Sequence, residues 1–208
     1  MAIEVYWGSG SPYSWRVLLA LEHKGLAYTS HLLQFSRQEH KSPQILGLNF
    51  RGRVPILKDG DYVVFESLAV LYYLDLKYPQ PPIFGQSPEE AGVIMRVICE
   101  YQAYVEEHLM KIVRAVFDGE AQEHIDALAD SMHVVAREAR SIEARLSRSA
   151  WVVGERFSAA DIMLGSDLHF GINVFKIVEA RPAFAAYLAR CAARPAFKRA
   201  QAIDDAGV

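Results

Sequence analysis

The first third of the chain switches repeatedly between two hydrophobic periods. Residues 2–7 (Ala-Ile-Glu-Val-Tyr-Trp) are rich in β-branched and aromatic types and predict a short strand. Gly8-Ser9-Gly10-Ser11-Pro12 breaks it. Pro12 suits the first turn of a helix, where its missing N–H costs nothing. Apolar residues at Trp15, Val17, Leu18 and Leu21 carry that helix to Lys24-Gly25, a basic last turn followed by a glycine cap. Tyr28 to Leu33 predicts a second strand. A polar stretch, Gln34 to Ser42, precedes a short helix ending near Asn49. Val54 to Lys58 and Tyr62 to Phe65 read as strands, with Asp59-Gly60-Asp61 between them as a hairpin turn. Glu66 to Tyr78 has apolar residues at 68, 70, 71 and 74 and predicts a helix.

The order is βαβαββα. Its first strand–helix–strand unit requires a parallel pair, and the hairpin adds an antiparallel one. A mixed sheet of this order is thioredoxin-like. It is not doubly wound, and neither GxGxxG nor GxxxxGK[ST] is present. Pro79-Gln80-Pro81-Pro82, followed by Gly85 and Pro88, predicts a stiff linker. Beyond it the pattern is helical. Apolar side chains at 94, 97, 98, 101, 105, 109, 112 and 116 form a stripe over 89–117, and 123–147 repeats it more weakly. Ala-Arg-Pro-Ala-Phe occurs at 180–184 and 193–197, each copy placing a proline where a helix can start. The expected organisation is an α/β domain over 1–78, a linker over 79–88 and an all-α domain over 89–208.

Composition narrows the function. The 208 residues carry a net charge of −3, and 51% are hydrophobic, enough for a core without disulfides. Lys plus Arg against Asp plus Glu is 8 to 7 in residues 1–78 and 14 to 18 in 79–208. Neither part is basic enough for nucleic-acid binding as the main activity. Cys99 and Cys191 form no CxxC pair, and both are expected to be buried thiols. No HExxH or other metal-ligand spacing occurs. The longest apolar run, Leu68 to Leu74, is far too short to cross a bilayer, and no signal peptide is read. The expectation is a cytoplasmic enzyme that binds neither metal, nucleic acid nor membrane.

Four local signals carry chemistry. Ser11 stands where strand one turns into helix one, beside free N–H groups that favour an anion; the plain alternative is a helix cap. Val54-Pro55 opens a strand and suits a fixed turn, with a cis bond as one form, leaving the Val54 backbone free to pair with an extended peptide; the alternative is an edge-strand proline. Glu66-Ser67 opens a helix and can hold an α-amino group and an α-carboxylate, or act only as a cap. His40-Lys41 lies in a polar loop and can pair with a carboxylate, or be solvated surface charge.

In order and spacing, residues 11–74 resemble the glutathione transferase family, and most nearly its serine-type classes. Glu39-His40-Lys41-Ser42-Pro43 with Leu46-Gly47-Leu48-Asn49 resembles the phi class, Ser14-Trp15-Arg16-Val17 the zeta class, and Ser11-Pro12 the tau class. Phe50 departs from the proline usual after that asparagine. Gly154-Glu155-Arg156-Phe157-Ser158-Ala159-Ala160-Asp161-Ile162 is similar to the family's buried capping motif, in which Ser158 and Asp161 form a capping box. The resemblance implies a catalytic Ser11 that hydrogen-bonds the glutathione sulfur. It implies Val54 pairing with the cysteinyl backbone beside a cis Pro55, Glu66 and Ser67 at the γ-glutamyl end, and His40 and Lys41 at the glycyl carboxylate. Glutathione is then a co-substrate and no tightly bound cofactor is implied.

A free thiol has a pKa near 8.5, and a hydroxyl donor plus a helix N-terminus can lower it. Tyr6 is the rival to Ser11, because other classes use a tyrosine at the end of strand one; Ser9 and Ser14 are lesser candidates. Tyr13, Tyr101, Tyr104 and His108, with Met110, are candidates to line the site of a small apolar electrophile. The implied role is detoxifying conjugation by a homodimer, the first domain of one subunit packing on the helices of the other. A glutathione-dependent peroxidase, dehalogenase or isomerase needs the same thiolate, and a non-catalytic binding protein the same scaffold.

Overall fold

The computed structural model describes residues 2–118 and 125–207. It contains two compact units, Met1–Ile83 with Arg190–Val208, and Phe84–Ala189. In the first unit, β1 (Ile3–Trp7), α1 (Pro12–Lys24), β2 (Tyr28–Leu32), α2 (Pro43–Leu48), β3 (Ile56–Asp59), β4 (Tyr62–Phe65) and α3 (Ser67–Lys77) follow one another as expected. Two short 3-10 turns, Phe35–Arg37 and Glu39–Lys41, occupy the polar stretch before α2. The sheet order is β2-β1-β3-β4, with β1 and β2 parallel and the other pairs antiparallel. This is the thioredoxin-like arrangement.

Local chemistry explains the boundaries. The Ser14 amide donates to Ser11 Oγ at 3.3 Å, and Pro12 occupies the first turn of α1. Gly25 ends that helix at φ 65°, a conformation that costs a residue without Cβ little, and its N–H donates to the Leu21 and Glu22 carbonyls. Asp59 pairs with Tyr62, so Gly60-Asp61 forms the hairpin loop. Asp59 Oδ2 then accepts from Tyr73, Lys77 and Tyr78, tying the hairpin to α3.

Lys24 is buried where a last-turn lysine was expected only to balance the helix dipole. Its ammonium donates to Asp75 Oδ1 at 2.7 Å and to the carbonyls of Tyr78 and Pro81 at 2.7 and 2.9 Å. The Ile83 amide donates to the same carboxylate oxygen. The proline-rich segment is thereby fastened to the first unit as far as Ile83.

The second unit holds α4 (Pro88–Tyr101), a π-turn (Gln102–Glu106), α5 (Glu107–Asp118), α6 (Ile125–Leu146), α7 (Ala159–His169), a second π-turn (Phe170–Val174) and most of α8 (Pro182–Ala193). The stripe over 89–117 thus forms two helices joined by a wider turn. Val97, Tyr101, Val105 and Leu109 are all buried at spacings of four. Each such step drifts about 40° around an α-helix, and a π-turn takes up that drift. Residues 123 and 124, where the next stripe was expected to begin, lie outside the described residues, as does the Val116 side chain. Cys191 is buried, but Cys99 is exposed, correcting the expectation for it: it lies off the buried stripe of Ile94, Val97, Ile98 and Tyr101. No helix among the described residues is long and apolar enough to cross a membrane.

Helix α9 (Pro195–Asp205) packs on α1, so residues 190–208 belong with the α/β unit and not with the helices that precede them in sequence. Phe197 meets Trp15 edge-on at 4.6 Å, and Arg199 binds Glu22. Trp15 has no exposed surface, and α9 supplies apolar cover that a four-stranded unit of this size lacks.

The capping box before α7 forms as expected. Asp161 Oδ2 accepts from the Ser158 amide and hydroxyl, and Oδ1 from the Val152 amide and the Tyr187 hydroxyl. Burial nevertheless pushes the Asp161 carboxyl up to about 6. The folded state therefore holds this proton more tightly than the unfolded chain, and the group's contribution declines as pH rises from about 4 through 6. Asp161→Ala should lower the urea-unfolding free energy by about 2–4 kcal/mol. The gap between wild type and variant should be wider near pH 4.5 than near pH 7.5; a gap that widens as pH rises contradicts this account.

Candidate active site

The sheet topology brings four connections to one end. β1 and β2 run parallel and finish there, β3 starts there, and β4 returns there. Ser11 follows β1, the His40-Lys41 loop follows β2, Val54-Pro55 precedes β3, and Glu66-Ser67 follows β4. The N-termini of α1 and α3 both lie at this end, which makes it favourable to anions.

Ser11 is half-buried and caps α1. Its oxygen accepts the Ser14 amide, and its hydroxyl donates to nothing among the described residues. The rival groups are engaged. Tyr6 donates to Glu4 Oε2 at 3.1 Å, is 7% exposed and stacks on His31 at 4.5 Å. It faces the sheet side covered by α2, with Ile45 and Ile56. Burial, then the Glu4 carboxylate, push its phenol above the ordinary range. Ser9 donates to the Asp204 carbonyl, and the fully buried Ser14 accepts the Gly8 amide.

Val54-Pro55 is a cis peptide. Among the described residues the Val54 N–H and C=O have no hydrogen-bond partner. The pairs Tyr6 with Ile56 and Ile56 with Phe65 fix the neighbouring strands, and continuing them sets Pro55 between Trp7 and Glu66. Glu66 is exposed and adopts φ 69° without being glycine, a strained conformation that opens α3. Ser67 is buried, and Arg16 Nη1 donates to its hydroxyl at 3.4 Å, which joins α1 to α3.

Lys41 is exposed and donates to the Arg51 carbonyl at 3.1 Å. A Cβ on Gly52 would lie 2.8 Å from the Lys41 side chain and 3.0 Å from the His40 carbonyl, so glycine lets the two loops meet. Asn49 holds the 49–53 loop by donating to the Arg53 carbonyl and accepting from Arg51 N–H. His40 Nδ1 is buried without a partner among the described residues. Burial, then the Lys41 charge, hold this imidazole below its ordinary pKa, so it is neutral at pH 7 and the ring carries one N–H donor.

The electrophile candidates fall in both units. Tyr13 lies in the first unit under the Arg16 guanidinium, at 4.6 Å. Tyr101 and Tyr104 line a cavity of about 240 Å³ within the helical unit, with Val97, Val105, Ile142 and Met163. The Tyr101 hydroxyl is already bound to Asp167 at 2.5 Å. His108 is absent from that lining and pairs with Ser131. No group of three or more acidic, histidine or cysteine side chains among the described residues could hold a metal ion.

The chain matches the glutathione S-transferase N-terminal domain over residues 10–77 and the glutathione S-transferase C-terminal domain over 104–195. It is 30% identical to glutathione S-transferase A of Pleuronectes platessa over 197 residues, covering 92% of this chain and 88% of the relative. The chain belongs to the glutathione S-transferase family. It is also 30% identical to maleylacetoacetate isomerase of Pseudomonas aeruginosa over 207 residues, covering 96% and 95%. A theta class glutathione S-transferase from Xanthomonas axonopodis pv. citri, solved with glutathione bound, superposes with a TM-score of 0.83 at 27% identity, covering 96% of each chain.

The structure of this transferase adds residues at the same end of the sheet that the motif reading passed over. Arg16 has no exposed surface. Phe35 lies over Gly8 and meets His40 edge-on at 5.2 Å. The three atoms nearest to a Cβ placed on Gly8 all belong to the Phe35 ring, at 2.2–2.9 Å. Gly8→Ala should therefore displace that ring and cost about 1 kcal/mol, since the half-exposed ring can swing away. In a Phe35→Ala background the same change should cost almost nothing in urea unfolding. Equal costs in the two backgrounds would show that the ring is not what Gly8 accommodates.

Proposed function

We propose that this glutathione S-transferase binds glutathione across the shared end of its sheet and conjugates it to small apolar electrophiles, with the Ser11 hydroxyl donating to the thiolate. The observation that carries this is the state of the hydroxyls. Ser11 is half-buried with an undonated proton at the amino end of α1, while Tyr6 and Ser9 donate elsewhere and Ser14 is fully buried. The unpaired Val54 backbone suits the cysteinyl segment of the tripeptide. Ser67 at the start of α3, with Glu66, suits its γ-glutamyl end, and His40 with Lys41 its glycyl carboxylate. The bound glutathione of the Xanthomonas structure supports the choice of ligand. Ser11 acts as a donor and not as a covalent nucleophile. Its hydrogen bond and the helix N-terminus favour the anionic sulfur, which attacks the electrophile.

Ser11→Ala should leave glutathione affinity within about threefold and lower turnover of an activated aryl halide at pH 7 by about 10- to 100-fold. Tyr6→Phe should stay near wild type. Full activity in Ser11→Ala, or loss in Tyr6→Phe alone, would remove Ser11 from the role.

A second reading is isomerisation of a maleyl compound, which the Pseudomonas relative favours. It uses the same thiolate, and parallel assays of a maleyl substrate and an aryl halide separate the two. We further assign the enzyme to the cytoplasm and to a homodimer. Phe50, Tyr62, Tyr72 and Leu76 of the first unit are 71%, 52%, 48% and 67% exposed, an apolar set that a partner's helices would cover. Sizing at micromolar concentration should give a dimer, and Phe50→Ala together with Leu76→Ala should shift it toward monomer. A monomeric wild type would refute the assignment.

A further inference from the structure

The thiolate site stands on a turn, Gly8-Ser9-Gly10, that has few bonds of its own. α9 runs back along α1 and supplies them. It is held to the far end of α1 by Arg194 with His23 and by Arg199 with Glu22, and to its first turn by Phe197 on Trp15. At the near end Asp204 is 6% exposed. Its Oδ1 accepts the Gly10 amide at 3.2 Å, and its main-chain carbonyl accepts the Ser9 hydroxyl at 3.0 Å. One residue thus grips two consecutive positions directly before Ser11. Beyond it, a Cβ on Gly207 would lie 3.0 Å from the Trp7 ring and 3.2 Å from Leu32 and Ser9, so the segment is seated closely on the end of β1.

A mobile Ser9-Gly10 segment would carry Ser11 with it, because Gly10, at φ 75°, adjoins it directly. A hydrogen bond to a sulfur anion depends steeply on donor position and angle. Among the described residues, the segments expected to hold the glutathione backbone and its charged ends (Val54, Glu66-Ser67, His40-Lys41) share no hydrogen bond with Asp204, which binds Ser9 and Gly10. Loosening this clamp should affect ionisation of the thiol more than occupancy of the site.

We propose that Asp204 is a positioning residue for the thiolate step: from the end of α9 it fixes the Ser9-Gly10 turn and so aims the Ser11 hydroxyl at the glutathione sulfur. This rests on the thiolate role proposed for Ser11.

The test compares Asp204→Ala, Asp204→Asn, Ser9→Ala and Ser11→Ala in the full chain, by kcat, KM for glutathione, ultraviolet titration of the bound thiol, and thermal melting. Asp204→Ala should lower kcat about tenfold and move the bound-thiol titration about one pH unit upward. Its KM for glutathione should stay within about threefold. Asp204→Asn keeps an oxygen acceptor for the Gly10 amide and should restore both readouts to within about threefold of wild type. Ser9→Ala, which loses only the hydroxyl clamp, should fall between them and decides the matter if Asp204→Ala does not fold. Wild-type kcat and thiol titration in Asp204→Ala or in Ser9→Ala overturns the proposal, as does equal loss in the Ala and Asn variants. If Ser11→Ala is itself fully active, the thiolate reading falls and this inference with it. If Ser11→Ala is impaired while Asp204→Ala is not, only the inference falls.

Discussion

Everything at the candidate site depends on one ladder of backbone hydrogen bonds. Tyr6 paired with Ile56, and Ile56 with Phe65, set the heights of β1, β3 and β4. Because β3 runs against its neighbours, its beginning lies beside their ends. Segments 11, 54–55 and 66–67 are separated by 42 and then 10 residues of chain, yet they meet. A one-residue slip in either pair would turn Ile56 to the opposite face of the sheet and separate them. The site is therefore a property of the register before it is a property of any side chain.

Two helix N-termini then give this edge its sign. α1 and α3 both present their unbonded N–H groups there, and Arg16 links them through Ser67. A positive potential from backbone groups costs no desolvation of a mobile ammonium and needs no reorganisation when a sulfur anion forms. The Asp204 carboxylate that grips the preceding turn meets an amide of the turn and not the helix end itself. The neutral state of His40 fits the same economy of charge: it lies within a protein wall formed with Phe35, where a proton would be poorly solvated.

Much of this was legible from residue order. The strand and helix sequence, the Gly25 cap, the Gly60 turn and the Ser158–Asp161 box are local, and local chemistry predicts them. The cis form of Val54-Pro55 was read as one of two options, and the structure selects it. What escaped was non-local. Lys24 reads as a dipole-balancing lysine until Asp75, Tyr78 and Pro81 surround it. Nothing in the run Ala-Ile-Asp-Asp-Ala marks Asp204 as a partner of Gly10, 194 residues away. The π-turn was visible only as an unusual run of four-residue spacings, and the same helical stripe was read as continuous. Within the helical unit, Tyr101 and Tyr104 line a cavity while His108 pairs with Ser131, since helical period places residues on a face and does not say which neighbour that face meets.

The α9 connection has a consequence for how the molecule comes into being. Phe84–Ala189 is an unbroken stretch, whereas the α/β unit is closed by residues 190–208. On the ribosome, the later-numbered unit is therefore finished first, and the earlier one waits, with Trp15 uncovered, until α9 emerges. The usual N-to-C order of domain folding is reversed, and the nascent chain carries an open apolar seam along α1 until residues 190–208 emerge.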